Sequence, residues 1–502
     1  MRITTHALGD RIAAVMALDP AAPAIEFERR WRTWGALAAT VESVAAALPI
    51  PGTRIGILLR NRPAPVAFLL GALRAGACVV AIDPQRGVER TRREIASLAL
   101  PCVAGEPQDL EQLVGPEVPS STLAAPDAGA AVAIGRRAPA ADAAPRPGVA
   151  VQMLTSGTTG PPKRVDLAYE MLRRVLVGAK HYESNREEAL RLRTGVAVVN
   201  SPLVHLGGLF RVLQCVSDGR SFALLERFTV DAWVDAVRRH RPATASLVPA
   251  ALRMVLEADI DPADLGSIRS VISGTAPLSP DDADAFTAKY GVPVLGSYAA
   301  TEFGGGVAGW NLADYQRFWS AKRGSVGRAH AGCALRVVDP DGGRVLGPDA
   351  EGLLEVKAAQ LGEDAAWIRT TDLARIDADG FLWIVGRADR VIIRGGFKVH
   401  PDHVRAALEG HPGVRGAAVV GRADARLGAV PVAVVELRDG REPVTADDLL
   451  AHAAATLARY ELPAEIRIVD ALPRTPSAKV DLAAVSALLA DFTTEARRHG
   501  ED

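Results

Sequence analysis

Short apolar runs recur through the first 300 residues, at 55–59, 78–82, 196–199, 222–225, 270–272 and 292–295, separated by helix-length amphipathic stretches. Runs of this length suit strands covered on both faces, so the alternation predicts parallel sheets with helices on either side. The longest apolar region, 64–82, contains Gly71, Arg74 and Gly76 and stops at Asp83-Pro84, which predicts a helix followed by a buried strand and not a membrane span. Residues 12–18 are also apolar, but Asp10 and Arg11 precede them and Asp19-Pro20 follow. They predict a first amphipathic helix instead of a secretory signal. The stretch 119–148, rich in Ala and Pro and without period, predicts a surface connection.

Near Gly332 the texture changes. Residues 334–338 and 344–346 flank Asp341-Gly342, a hairpin signal, and a second such pair flanks Asp379-Gly380. Beyond them come a strand over 391–394, a helix over 402–409 and strands over 416–420 and 430–437. This tail predicts a small α+β domain that begins between Gly386 and Asp389, dividing the chain into 1–386 and 387–502.

Composition narrows the partners more than the fold. The 502 residues are 48% hydrophobic and 23% charged, within the soluble globular range and too many for one ordinary core. A formal net charge of -1 supplies no basic field for nucleic acid or anionic lipid, so neither a nucleic-acid partner nor stable membrane insertion is expected. Cys78, Cys102, Cys215 and Cys333 stand singly, which suits a reduced, cytoplasmic protein.

The chemistry begins at Thr155-Ser156-Gly157-Thr158-Thr159-Gly160-Pro161-Pro162-Lys163, directly after a strand-like run at 149–154. Its glycines let backbone amides converge on an anion, its hydroxyls add donors, and Lys163 ends it with a point charge. That makes a phosphate cradle by composition, although a plain Ser/Thr/Gly-rich surface loop has the same composition. Pro162 before the lysine and Arg164 after it break the Walker pattern.

Together with six further segments in order, the loop resembles the phosphate signature of the adenylate-forming superfamily, which includes acyl-CoA synthetases, peptide-synthetase adenylation domains and beetle luciferases. The segments are Ser201-Pro202-Leu203-Val204-His205, Ser273-Gly274-Thr275-Ala276-Pro277-Leu278, Tyr298-Ala299-Ala300-Thr301-Glu302, Trp367-Ile368-Arg369-Thr370-Thr371-Asp372-Leu373, Gly386-Arg387-Ala388-Asp389 and Pro473-Arg474-Thr475-Pro476-Ser477-Ala478-Lys479. The resemblance covers essentially the whole chain and is nearest in character to a stand-alone acyl- or aryl-CoA ligase. It implies an α/β fold: a large N-terminal domain with parallel helix-flanked sheets plus a β-barrel-like subdomain, and a small mobile α+β C-terminal domain hinged near Asp389. It also implies ATP, Mg2+ and CoA. A small-molecule carboxylic acid would attack ATP to give an acyl-adenylate and pyrophosphate, and the acyl group would pass to the thiol of CoA or, alternatively, of a carrier-protein pantetheine. A non-catalytic scaffold of the same fold is the rival reading from another class.

By that resemblance the Thr155-to-Lys163 loop holds the β- and γ-phosphates. Gly274, Thr275, Ala276 and Pro277, with Ser297, Tyr298 and Ala299, line the adenine. Asp372 accepts from the ribose hydroxyls, and Arg387 reaches ribose or phosphate as a fixed cation. Thr301 donates to the α-phosphate, Glu302 holds Mg2+, and Lys479 is brought to the carboxylate and α-phosphate. His205 at the aromatic gate position, with Gly207, Gly208, Leu209, Thr275, Gly296 and Ala299, lines the acid. Arg394, Gly395, Gly396, Phe397 and Lys398 line the thiol's path once Lys479 withdraws about Asp389. Each residue also has an ordinary reading: Glu302 as a solvated loop acid, Tyr298 as core, Asp372 as a cap, Arg387 as a surface cation, Lys479 as a turn lysine, 394–398 as a tight hairpin. Seven ordered segments outweigh those readings taken singly.

Some features depart from the pattern. Thr371 and Ala299 stand where the family usually has glycine, and the stretch between Val356 and Trp367 is short. The Gly-x-Gly-x-x-Gly match from Gly304 to Gly309 lacks a strand-then-helix context. His400 and His403 share a helix face without a further ligand, which suits helix N-terminal histidines better than zinc, and no Gly-x-Ser-x-Gly elbow occurs. The run His205-Leu206-Gly207-Gly208-Leu209 lacks the aspartate that would pair an amino acid's ammonium, so an aryl or medium-length acid is expected.

Overall fold

The computed structural model describes residues 7–115, 118, 120–135, 144–155, 163–176, 190–438, 444–475 and 479–489. Contacts gather the chain into two compact units: Met1–Arg317 with His330–Cys333 and Ala358–Ala365, and Phe318–Ala329 with Ala334–Lys357 and Ala366–Asp502. This grouping places the antiparallel hairpins beyond residue 334 with the C-terminal residues, whereas the expected hinge lies at Asp389.

In the first unit the apolar runs become parallel strands. Cys102–Gly105, Arg54–Leu58, Cys78–Ile82 and Val149–Thr155 lie side by side in that order. All of Cys78–Ile82 is buried because successive side chains point to opposite, helix-covered faces. Val79 and Ala81 join one core with Phe68 and Leu69 of the helix Pro63–Arg74, while Val80 and Ile82 join another with Ile95 of Val88–Leu98. Pro63 suits the first turn of its helix, where its missing N–H would have no partner anyway. Gly71 lets that helix press on Trp34–Ala47: a Cβ there would fall 2.8 Å from the Val41 carbonyl oxygen.

The connection expected over 119–148 contains two strands. Ser121–Ala124 pairs parallel with Cys102–Gly105, and Ala133–Gly135 pairs antiparallel with Ser121–Ala124 at the sheet edge. Their short, small-residue sequences carry too little apolar pattern to announce a strand; the neighbouring edge supplies the ladder. A second sheet runs Arg193–Val199, Arg220–Leu224, Pro23–Phe27, Arg30–Thr33, and a third contains Thr244–Ser246, Ser270–Ser273, Val294–Ala300 and Gly305–Gly309. Gly305–Gly309 is thus a strand, which removes any dinucleotide reading of its glycines.

In the second unit Ala334–Val338, Gly352–Lys357, Ile368–Ile376 and Leu382–Arg387 form an antiparallel sheet. The expected strand over 344–346 is only a single bridge, Val338 to Val345, although the turn at Asp341-Gly342 closes as predicted. The C-terminal α+β portion is built on Val414–Asp424 against Gly428–Leu437. Val432 and Val434 face Leu472 and Val485, while Ala433 and Val435 face Val404, Leu408 and Leu449. This explains the unbroken apolar run: both faces are covered. Among the described residues, no helix is long and apolar enough to cross a membrane.

Candidate active site

Four of the singled-out segments leave the carboxyl ends of strands in the first unit, the end of an open parallel sheet where ligands bind. Val149–Thr155 and Lys163–Ala168 form a hairpin in which Thr155 pairs with Lys163, so the two ends of the phosphate loop meet. Ser156, Gly157, Thr158, Thr159 and Gly160 lie outside the described residues. Strand alternation separates the two adjacent cations: Lys163 is exposed, whereas Arg164 turns inward, donates to the Ala81 carbonyl at 3.0 Å and pairs with Glu94.

Ser270–Ser273 leads into Gly274, Thr275, Ala276 and Pro277, with Ser273 in register with Gly296 of the parallel neighbour. A Cβ on Gly274 would meet the Ser297 carbonyl oxygen at 2.8 Å, so glycine permits this close approach. Thr275 is exposed with φ of 70°, a left-handed conformation that costs a threonine energy. Val294–Ala300 carries Gly296, Ser297, Tyr298 and Ala299, with a register shift between Tyr298 and Ala299. Tyr298 is half-buried, its ring 6.0 Å from Phe303. Thr301–Phe303 then makes one tight turn ended by Gly304 at φ of 69°, leaving Glu302 exposed and Thr301 half-buried. Gly304 admits Met171, whose helix Tyr169–Leu176 follows the strand that begins at Lys163, so the Thr301–Glu302 turn rests on the element behind the phosphate loop.

His205 is the cap of Leu206–Ser217. Gly207 is exposed with open space beside it, whereas Gly208 is buried: a Cβ there would lie 2.2 Å from the Pro202 carbonyl oxygen. Leu209 is fully buried in the core, beneath the surface that Gly207 presents.

The second unit holds Asp372 and Arg387 opposite each other on paired strands, Asp372 Oδ1 lying 3.6 Å from Arg387 Nη1. Arg387 donates to both oxygens of Asp389 at 2.9 and 2.7 Å, and also to Thr371 Oγ1. The threonine at the usual glycine position therefore supplies an acceptor to the arginine. Gly395 and Gly396, both at positive φ, turn the chain between Ile392–Arg394 and Phe397–Val399; Arg394 donates to the Tyr460 and Leu462 carbonyls, and Phe397 stacks on Tyr460 at 4.8 Å with both rings exposed. Lys398 is exposed. Thr475 N–H donates to the Lys479 carbonyl at 2.8 Å. Crowding by surrounding protein, then the Arg390 cation, hold the Lys479 ammonium below the ordinary lysine range, although its side chain keeps solvent contact.

His403 Nδ1 lies 3.0 Å from Glu461, and His400 caps Pro401–Glu409. Among the described residues no cluster of three or more His, Cys, Asp or Glu could cage a metal. A lone exposed carboxylate such as Glu302 suits Mg2+, which keeps waters and takes further oxygens from substrate phosphates. The four cysteines are free thiols, and burial pushes Cys78 up to about 11 and Cys102 to about 12, so neither is a thiolate at neutral pH. Three residues escaped the sequence reading: Asn61, Arg390 and Met171. Asn61 had a signal, a polar Arg60-Asn61-Arg62 triplet wedged between a buried strand and a proline-started helix.

The sequence model of the AMP-binding enzymes matches residues 12–363, and that of their C-terminal domain matches residues 403–479. Indoleacetate–CoA ligase of Aromatoleum aromaticum is 32% identical over 92% of this chain and 94% of its own. The fatty acid–[acyl-carrier-protein] ligase ScoC of Streptomyces coeruleorubidus is 29% identical over 92% of each. ATP-bound MatB of Rhodopseudomonas palustris shares the fold with a TM-score of 0.80 at 24% identity, covering 96% of this chain and 99% of that one. A chain that matches the family model over most of its length, and the model of the appended domain as well, belongs to the AMP-binding enzymes.

Proposed function

We propose that this AMP-forming acid–CoA ligase activates an aryl carboxylic acid. The observation that carries the reading is that Ser201–His205, Gly274–Pro277 and Thr301–Glu302 each follow the carboxyl end of a strand in one unit, while Asp372 and Arg387 face each other in the other. In adenylation the acid's carboxylate attacks the α-phosphorus of ATP and pyrophosphate leaves, so charge must be neutralised on phosphate oxygens as the transition state forms. Thr155 to Lys163 holds the departing phosphates, Thr301 donates to the α-phosphate, and Lys479 supplies a point charge to the reacting oxygens. Glu302 would hold Mg2+, which would supply positive charge against the phosphate oxygens. Tyr298, with Gly274 to Pro277, Ser297 and Ala299, lines the adenine, and Asp372 with Arg387 holds the ribose.

His205, Gly207, Gly208, Leu209, Thr275, Gly296 and Ala299 form the acid's pocket. The absence of a carboxylate from the 205–209 run favours an acid without an α-ammonium, and the indoleacetate–CoA ligase relative favours an aromatic one. For thioester formation the domain 387–502 turns about Asp389, Lys479 withdraws, and Arg394 to Lys398 flank the incoming thiol. Free thiols, those of Cys78, Cys102 and Cys215 buried, suit a reducing cytoplasm. The relative that loads an acyl-carrier protein favours a second reading, transfer to a carrier pantetheine. ATP–pyrophosphate exchange over a panel of aryl and aliphatic acids, with mass spectrometry of products on CoA and on a carrier protein, tests these readings. Exchange led by aryl acids with a CoA product is expected; exchange led by aliphatic acids overturns the aryl assignment, and no product with any acid favours the scaffold.

A further inference from the structure

Asn61 is 4% exposed and uses its whole amide. Its Nδ2 donates to the Ser201 carbonyl and to the Leu225 carbonyl, each at 3.0 Å, and its Oδ1 accepts from the Leu203 N–H at 2.8 Å. The clasp therefore grips the backbone on both sides of Pro202 and ties it to the residue just past the strand Arg220–Leu224. From Pro202 the chain has little freedom left: His205 N–H donates to the Pro202 carbonyl at 3.0 Å, Leu209 N–H donates to the His205 carbonyl at 3.0 Å, and buried Gly208 packs on the same Pro202 carbonyl.

Asn61 is itself held from both sides. Arg60 makes a two-point contact with buried Asp109 at 2.6 and 2.8 Å, and Arg62 bonds Glu226 at 2.9 Å and Glu106 at 3.0 Å. A buried amide with three good bonds and pinned neighbours transmits a fixed position and does not adapt to a displaced one.

We propose that Asn61 is the positioning residue that seats His205 and the start of Leu206–Ser217, and thereby sets the affinity for the carboxylic acid without touching it. The inference rests on the reading of His205 as part of the acid's pocket. Among the described residues none of the hydrogen bonds of Asn61 goes to the strands that lead to the phosphate loop or to Gly274, so binding of ATP should be spared.

The test compares Asn61→Asp, Asn61→Ala, His205→Ala and Val44→Ala, a core change on a separate helix, by ATP–pyrophosphate exchange with separate titrations of acid and ATP, alongside thermal unfolding. Asn61→Asp keeps the acceptor for Leu203 but turns an oxygen toward two carbonyls. Its KM for the acid should rise about 10–100-fold, with that of ATP changed less than about twofold. Asn61→Ala should show the same split more weakly, and Val44→Ala should lower the unfolding temperature without any split. If His205→Ala raises the acid KM and neither Asn61 variant does, the clasp is structural only and the proposal fails. If the Asn61 variants raise both KM values in parallel, as a loosened fold would, it fails too. If His205→Ala leaves the acid KM unchanged, the pocket reading falls and takes this inference with it. Should Asn61→Asp not fold, Asn61→Ala decides by the same split.

Discussion

The two compact units hold the residues proposed for catalysis and binding by different means. In the first, position comes from backbone geometry and buried polar contacts: Gly274 against the Ser297 carbonyl, Gly208 against the Pro202 carbonyl, Thr275 at positive φ and the Asn61 clasp. In the second, Asp372, Arg387 and Asp389 are joined by ion pairs whose side chains remain 18–30% exposed. Backbone packing has no alternative arrangement of similar energy, whereas partly exposed ion pairs are screened, worth little, and cheaply exchanged. A rigid frame suits the substrate positions proposed there; exchangeable contacts suit the hinge proposed at Asp389.

The comparison is broken most sharply at Lys479. Lys479→Ala should cut ATP–pyrophosphate exchange about 1000-fold while thioester formation from supplied acyl-adenylate falls less than about tenfold, since the point charge acts on the reacting oxygens in one half-reaction only. Equal losses would mean that the second unit does not change its role. Glu302→Gln should lower exchange about 100-fold at ordinary Mg2+ and shift the metal requirement upward, because a neutral amide is a poorer ligand for a hard cation. An unchanged Mg2+ titration would return Glu302 to the status of a solvated acid.

Gly208→Ala and Arg387→Met sharpen the contrast in stability. The added methyl, 2.2 Å from a backbone oxygen that cannot move aside, should cost about 1–3 kcal/mol by denaturant unfolding. Arg387→Met should stay within about 1 kcal/mol while raising the KM for ATP about tenfold. If Arg387→Met were the more destabilising of the two, its ion pairs would be structural and the contrast would fail. The smallest effect concerns pH. Because crowding and Arg390 hold Lys479 below the ordinary lysine range, its cation is lost as pH rises through that lowered value. The exchange rate should therefore decline on the alkaline side earlier than for an ordinary lysine. Lys479→Arg, which keeps its charge, should lack that decline.

Much of this was legible along the chain. The parallel strands were visible in their apolar runs, and the helix-then-strand reading of 64–82 matches Pro63–Arg74 followed by Cys78–Ile82. The turns at Asp341-Gly342 and Asp379-Gly380 were visible because Gly and Asp dictate local φ and ψ. Seven ordered segments sufficed to point to acid activation. Illegible were Ser121–Ala124 and Ala133–Gly135, whose ladder partners come from elsewhere in the sheet, and the expected strand over 344–346 is only a single bridge, Val338 to Val345, at the outer edge of Ala334–Val338.

The sequence by itself determined most of the elements and the class of reaction, and it singled out the residues proposed to carry charge to the phosphates, because propensity, turn chemistry and motif order act between near neighbours. Tertiary structure alone decided which polar residues hold those motifs still. Asn61 meets backbone 140 and 164 positions away, Arg164 turns inward beside outward Lys163, and Thr371 becomes an acceptor for Arg387 across a strand pair. Such contacts follow from strand order and register, which depend on the burial of every face at once and leave no mark in any short stretch of the chain.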